Sequence, residues 1–300
     1  MRSLASPGSR LPAGWRDRPW QSYLWLLPLL IGFFALVVPT MMGIAEVSWS
    51  TDQGAHGPIV LAIGVWLVAR AWPGMTAQAV PGNAWVGGLL LAAALVAYLA
   101  ARVIGSIVIE SAMMYVALVA ALYLFVGFAA MREAWFPIAY LLFVLPPPGS
   151  WVAAATQPLR LEISQRAVDV LAALGYAVAR SGLLIYVDQY VLEVKAACGG
   201  LNSMISLTAI GLFYAYILHN ANVRYTVLLF FVTIAMAIAA NFVRVLALVL
   251  ITHYLGDRAA QGFLHEFAGL TMFTVAMGGV LLFDKAAGPI RRALSSERQA

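Results

Sequence analysis

The sequence predicts an all-α integral membrane protein, with about eight transmembrane helices and an extracytoplasmic segment that has room for an interfacial helix and a short β-hairpin. Two observations carry this. The 300-residue chain is 63% hydrophobic and only 10% charged, where a soluble domain has about 25% charged residues. The apolar residues also collect into runs of helix length, and the mean hydropathy is +0.87. The net charge of +5 does not point to nucleic acid. Arg2, Arg10, Arg16 and Arg18 precede the first apolar run, and Lys285, Arg291, Arg292 and Arg298 follow the last, so both clusters read as topology signals.

A hydrocarbon core of ~30 Å needs about 20 apolar helical residues. The runs that meet or approach this length are 23–42, 57–72, 83–101, 112–130, 134–146, 201–218, 225–255 and 266–284. The first is expected to be retained, because no small-residue cleavage site follows it cleanly. The second and fifth are short. The seventh is too long for an upright span and is expected to tilt, kink or project. The chain therefore reads as one membrane domain, 1–300, with a basic cytoplasmic N-terminal tail (1–22), an extracytoplasmic segment (147–198) and a basic cytoplasmic C-terminal tail (285–300). No internal repeat is evident, which weighs against an inverted-repeat transporter.

With both termini cytoplasmic, the inner side holds Arg2, Arg10, Arg16, Arg18, Arg70, Arg132, Arg224, Lys285, Arg291, Arg292 and Arg298. The first outer loop, 43–56, has no Lys or Arg. Most of the remaining basic residues fall in 147–198, a long segment on which the positive-inside rule bears less. That segment opens on Pro146-Pro147-Pro148-Gly149, which stops the fifth run. From Leu159 to Leu174, Ile163, Ala167, Val170, Leu171 and Leu174 recur at helical spacing, with Arg160, Glu162, Arg166 and Asp169 off that stripe. Such a pattern suits a helix lying on the membrane surface. Leu183–Val187 and Tyr190–Val194 flank Asp188-Gln189 as two β-prone runs.

The segment delivers the chain to Cys198, the only cysteine, so an internal disulfide is excluded. It stands just before the sixth apolar run. A thiol at a helix start feels the positive end of the macrodipole, which favours the nucleophilic thiolate. Gly199 and Gly200 beside it allow close approach. Arg244 lies within the seventh run, where a charge costs at least ~2.5 kcal/mol and so normally faces protein or water. His265 opens the eighth run. The topology brings all three to the outer face. Cys198 can attack a carbonyl, His265 can carry the proton, and Arg244 can hold the developing oxyanion. Each also has a plainer role: a small buried hydrophobe for the cysteine, a snorkelling arginine, a capping or interfacial histidine. His56, His219 and His253 lack mutual metal spacing, and the zinc-protease, nucleophile-elbow and phosphate-loop patterns are absent. No cofactor or metal is expected.

Taken together, the motifs resemble the exosortase/archaeosortase family of multi-span membrane transpeptidases. Cys198-Gly199-Gly200-Leu201-Asn202-Ser203 is similar to that family's Cys-Ser-Gly-Leu/Ile-x-Ser, Asn241-Phe242-Val243-Arg244-Val245 to its Asn-x-x-Arg-Val/Ile, and His265-Glu266-Phe267-Ala268-Gly269 to its His-x-x-x-Gly. Trp49 and His56-Gly57 ahead of the second run, and the proline-rich end of the fifth, are similar too; the likeness covers roughly 45–285. Gly199 and Asn202 depart from it, replacing the usual serine and a frequent arginine. The resemblance implies Cys198, Arg244 and His265 as catalytic residues, with Asn241, Gly199, Gly200, Asn202, Ser203 and His56 in support. It implies a cysteine peptidase/transpeptidase in the bacterial plasma membrane, its site on the extracytoplasmic face, linked to protein sorting and exopolysaccharide-associated display. Its substrates would be exported proteins ending in a short motif of the Pro-Glu-Pro kind, a transmembrane helix and a basic cluster, cleaved through a thioester. The partners are then these proteins and the lipid bilayer, with no nucleic acid. Two other readings stay open on the residues alone: a transporter or flippase with Arg244 in an anion path, and a non-catalytic component of a polysaccharide export assembly.

Overall fold

The computed structural model describes residues 27–51, 54–193, 200–218, 223–256 and 263–289, with side chains described except at 193, 200–204, 223 and 263–272. In chain order the helices are α1 (Leu27–Ile44), α2 (Gly57–Ala77), α3 (Ala84–Ile104), α4 (Ile107–Glu133), α5 (Trp135–Tyr140), α6 (Gly149–Ala173), α7 (Gly200–Leu218), α8 (Val223–Leu255) and α9 (Phe263–Ala286). Three strands, β1 (Val178–Ser181), β2 (Leu184–Val187) and β3 (Tyr190–Glu193), stand between α6 and α7. By length and composition, five helical segments among the described residues can cross a membrane: Leu27–Trp49, Gly57–Ala77, Ala84–Ile104, Ile107–Glu133 and Arg224–Leu255. The number becomes six if the bent pair α5–α6 is one broken span.

That pair is where the structure departs most from the expected spans. The run 134–146 forms six residues of α-helix, then a 3-10 turn (Leu141–Val144), and meets α6 at 90°. Pro146, Pro147 and Pro148 separate the two arms. A proline offers no N–H and biases the residue before it away from helix, so three in a row cannot carry an α-helix through. The second run is not short either, since α2 continues through Pro73 to Ala77.

Within the first bundle, α1, α3 and α4 are tied by a buried acid. Thr40 donates to Glu110 Oε1 at 2.8 Å, Arg102 Nη1–H donates to the same oxygen at 3.0 Å, and Thr40 and Tyr98 share a hydrogen bond of 2.9 Å. The acid is thus paired and solvated by protein, which is the condition for keeping it buried. α4 kinks at Gly127, whose φ of 73° and ψ of 176° suit glycine alone. The kink frees two carbonyls, and the strand-like loop after α2 uses them: Val80 N–H donates to Val126 O, and Gly82 N–H to Tyr123 O. Freed backbone groups at membrane depth need such partners.

Thirty-three residues make α8 about 50 Å long, well beyond a ~30 Å hydrocarbon core. Its C-terminal third is covered by the segment that precedes α7. Ile163, Ala167, Val168 and Leu171 of α6, Ile185 and Val187 of β2, and Leu192 of β3 bury against Val245 and Val249. The expected surface helix therefore begins ten residues earlier than its periodicity suggested, at Gly149, and it faces protein through Ile163, Ala167 and Leu171. Val170 and Leu174 remain 40% and 68% exposed. The β-prone runs pair antiparallel about Asp188-Gln189, with Val187 opposite Tyr190, and β1 adds a third strand. Asp188 adopts φ 50°, a left-handed turn conformation that aspartate tolerates.

Candidate functional site

The second bundle, α7–α8–α9, has a readable register. At one level Leu207, Ala237, Ala240 and Ala276 pack together. At another, Ala215, Tyr225, Leu229, Val280 and Ala287 do. Passing from the first level to the second, α7 and α9 run forwards while α8 runs backwards, so α8 is antiparallel to both. Asp284 of α9 fixes the second level. It is 5% exposed and accepts hydrogen bonds from Tyr214 of α7 at 2.7 Å and Tyr225 of α8 at 2.6 Å.

Asn241 and Arg244 extend the Ala237–Ala240 stripe of α8 away from that acid. They follow at helical spacings of four residues, on the face turned to α7 and α9. Asn241 is fully buried and Arg244 is 6% exposed, and both engage polar or charged partners. A buried guanidinium without compensation would cost several kcal/mol. Continuing past the first level, α7 reaches its start at Gly200 after seven residues, about 10 Å of rise, and α9 reaches His265 after eleven, about 16 Å. Arg244 lies about 6 Å beyond Ala240 in the same direction. Cys198 and Gly199 lie outside the described residues, immediately before α7. Gly200, Asn202 and Ser203 lie in the opening turn of α7 and His265 in that of α9, on elements described by backbone alone.

Beside the start of α7 is a chamber of about 590 Å³, walled by Trp49, His56, Gly57, Pro147, Arg160 and Ile205 among others. His56 precedes the first turn of α2. The Trp49 indole lies so close to Gly57 that a side chain there would overlap it, and glycine is what permits the approach. Val144 and Leu145 line both this chamber and a largely apolar groove of about 690 Å³ between α1, α2 and α4, with Leu61, Val65, Trp72 and Met114 on its walls. Arg160 as a chamber residue escaped the sequence reading, which put it on the polar face of a surface helix. A signal was available there. Glu162 pairs with Arg166 at 2.7 Å and Gln165 with Asp169 at 2.7 Å, both at i,i+4, which leaves Arg160 without a matching acid on its helix.

A second polar cluster closes the far end of α8. Asp188 at the β2–β3 turn meets His253 Nδ1 at 2.5 Å, and the Tyr176 and Tyr254 hydroxyls share a hydrogen bond of 2.9 Å. Hydrogen bonding to Tyr254, then desolvation and the neighbouring phenol's charge, push the Tyr176 phenol above its ordinary value. This cluster clips the sheet to α8. Among the described residues no group of three or more His, Cys, Asp or Glu is placed to hold a metal.

These features define a polytopic helical membrane protein with a partly polar chamber set where the starts of several helices gather. Residues 49–282 match the family described as Transmembrane exosortase (Exosortase_EpsH), and the chain belongs to that family. The match opens on Trp49 and takes in most of the chamber wall, α7, α8 and the start of α9. Neither the curated proteins nor the solved structures gave a match. Membership makes the chain an enzyme of the peptidase kind, in a family of membrane transpeptidases that act on the sorting signals of exported proteins.

Proposed function

We propose that the chain cleaves C-terminal sorting signals by cysteine chemistry, in a bacterial plasma membrane, with its active site on the extracytoplasmic face and both termini in the cytoplasm. The substrate's apolar helix lies among the spans and leaves its short motif beside Cys198. His265 takes the thiol proton. The sulfur attacks the scissile carbonyl, and Arg244 stabilises the tetrahedral oxyanion. Collapse breaks the C–N bond, His265 protonates the leaving amine, and a thioester remains on Cys198. An acceptor amine, or water, then attacks the thioester and regenerates the thiol. Asn241, one turn from Arg244, serves as a positioning residue. Gly199, in place of the family's usual serine, leaves any oxyanion donor there to backbone N–H.

The observation that supports this most is the register of α7, α8 and α9. The antiparallel packing carries the buried Arg244 toward the end where α7 and α9 begin, and those starts adjoin Cys198 and include His265. In the test, Cys198→Ala inserts normally and stops processing of a co-expressed protein bearing a C-terminal helix and basic cluster. Arg244→Lys and His265→Ala each reduce processing by at least about a hundredfold. Mass spectrometry of the wild-type enzyme detects a substrate thioester on Cys198. Undiminished cleavage by the Cys198→Ala protein would refute the assignment.

A further inference from the structure

The sheet that caps α8 has one closed edge and one open edge. In a two-residue hairpin the pair that closes the turn exchanges backbone hydrogen bonds, and bonded and unbonded pairs alternate from there. Val187 and Tyr190 close the β2–β3 turn, so Ile185 and Leu192 are also bonded, while Val191 and Glu193 turn their N–H and C=O groups away from β2. Ser181 and Leu184 close the β1–β2 turn, and by the same count Val178 and Arg180 face outward on β1. The β1 edge is occupied. The Val178 N–H donates to Tyr176 O at 3.0 Å, and the Arg180 guanidinium donates to Gly182 O at 3.1 Å and to Leu161 O of α6 at 3.4 Å. Among the described residues nothing pairs with the outward groups of Val191 and Glu193. Native sheets guard such an edge with proline, lysine, a bulge or a covering element. β3 contains no proline or lysine, its ladder with β2 has no bulge, and the Val191 side chain beside the open groups is 52% exposed. Four residues leave room there for one short strand.

Leu192 of β3, with Ile185 and Val187 of β2, buries against α6 and α8, so the edge is anchored in extended conformation before any partner arrives. Outward backbone donors and acceptors on an extended strand are matched by one chemistry, the backbone of a second extended chain. Chain connectivity says which chain. Cys198 follows Glu193 by five residues, so the proposed nucleophile stands at most about 18 Å from the end of β3, whatever path joins them. A segment laid along β3 and continuing in the same direction can reach the cysteine within about five of its own residues. We infer that the β3 edge is a docking strand for the substrate: the stretch of exported protein next to the scissile bond adds to the sheet as a fourth strand, through backbone hydrogen bonds to Val191 and Glu193. This inference rests on the peptide-processing function proposed above. Pairing of this kind holds the substrate extended and supplies affinity without dictating its side chains, which are left to other walls of the site.

The test reads docking apart from cleavage. The Cys198→Ala protein, in phosphatidylcholine nanodiscs, is titrated with a synthetic peptide of about six alternating Thr and Val residues, then about 20 Leu/Ala residues and a basic tail. A twin peptide is N-methylated at every backbone nitrogen of the Thr/Val segment, which removes its donors and blocks close pairing. The unmethylated peptide is expected to bind at least about tenfold more tightly and to slow amide hydrogen exchange at Val191 and Glu193. Val191→Pro removes the outward donor and leaves the β2–β3 ladder whole, because that N–H takes no part in it; this variant is expected to bind both peptides equally weakly. Thermal melts confirm that it is folded, and the exchange and methylation measurements on the parent protein decide the matter without it. Equal affinity of the parent for the two peptides, or unchanged exchange at Val191, overturns the proposal. So does a Val191 amide that is protected without peptide and exchanges freely on dilution, because the edge then pairs with a second copy of the chain. Cleavage by enzyme with Cys198 intact is scored separately. Docking at the edge without any cleavage refutes the transpeptidase reading and leaves the docking strand standing, and cleavage undiminished by Val191→Pro does the reverse.

Discussion

Gly57→Ala tests the packing that shapes the chamber. A methyl group at this position would overlap Trp49 Nε1 and Cδ1 and come within 2.8 Å of Cε2, where carbon atoms normally rest about 3.5–4.0 Å apart. The nearest atoms belong to a rigid ring, and that ring packs in turn against the cluster of Val60, Leu67, Phe136 and Tyr140. The ring cannot simply swing aside, so overpacking should cost about 1–3 kcal/mol. Replacing a helical glycine returns up to about 1 kcal/mol. The expected net loss is then about 1–2 kcal/mol of stability, accompanied by slower processing as the indole is driven into the chamber. The assay is a double-mutant cycle with Trp49→Ala, read by thermal unfolding in detergent and by substrate cleavage. With the indole gone, Gly57→Ala should be neutral or stabilising, because only the helix preference remains. A cost that is the same in both backgrounds would refute the reasoning, since it would mean that the glycine answers to something other than the tryptophan.

Gly127→Ala, at the one glycine of α4, should cost about 3 kcal/mol or more, because φ is 73° and the new methyl would overlap the Val80 carbonyl oxygen; recovery of folded protein after extraction measures it. Asp284→Ala removes the acceptor of two short phenol hydrogen bonds and should cost about 3 kcal/mol in thermal stability, with Asp284→Asn costing less. The raised native pKa of Tyr176 means that its hydrogen bond to Tyr254 stabilises the fold below the ordinary tyrosine value of about 10 and is lost as pH climbs through the higher native value. Melting temperature against pH should therefore separate wild type from Tyr176→Phe at neutral pH and bring them together on the alkaline side.

The membrane character of the chain was legible from composition, and most helices from the lengths of their apolar runs, because a hydrocarbon slab imposes a length on any element that crosses it. The turn at Asp188-Gln189 and the paired strands around it were also readable, since their signals are local. The fifth run was legible only in part. Its hydropathy matches a span, yet three consecutive prolines and a 3-10 turn make it one arm of a right-angled pair. Hydropathy reports the solvent a segment prefers and says nothing of the angle at which the segment ends. The length of α8 was noticed from the sequence, but its explanation, a cap of α6 and three strands seated on Val245 and Val249, needed the packing. The candidate residues divide in the same way. Arg244 stood out because a charge in an apolar run is costly anywhere, and its motif could be read directly. Arg160 did not, because an arginine on the polar face of an amphipathic helix looks like any other.

The sequence by itself therefore determined the solvent of this protein, the rough extent of its spans and the three chemical groups worth watching, since each of those follows from local composition or from a short motif. Only the tertiary structure decided which faces of α7, α8 and α9 pack together, and which arginine borders the chamber beside α7. Those facts depend on contacts between segments far apart in the chain, where no periodicity reaches.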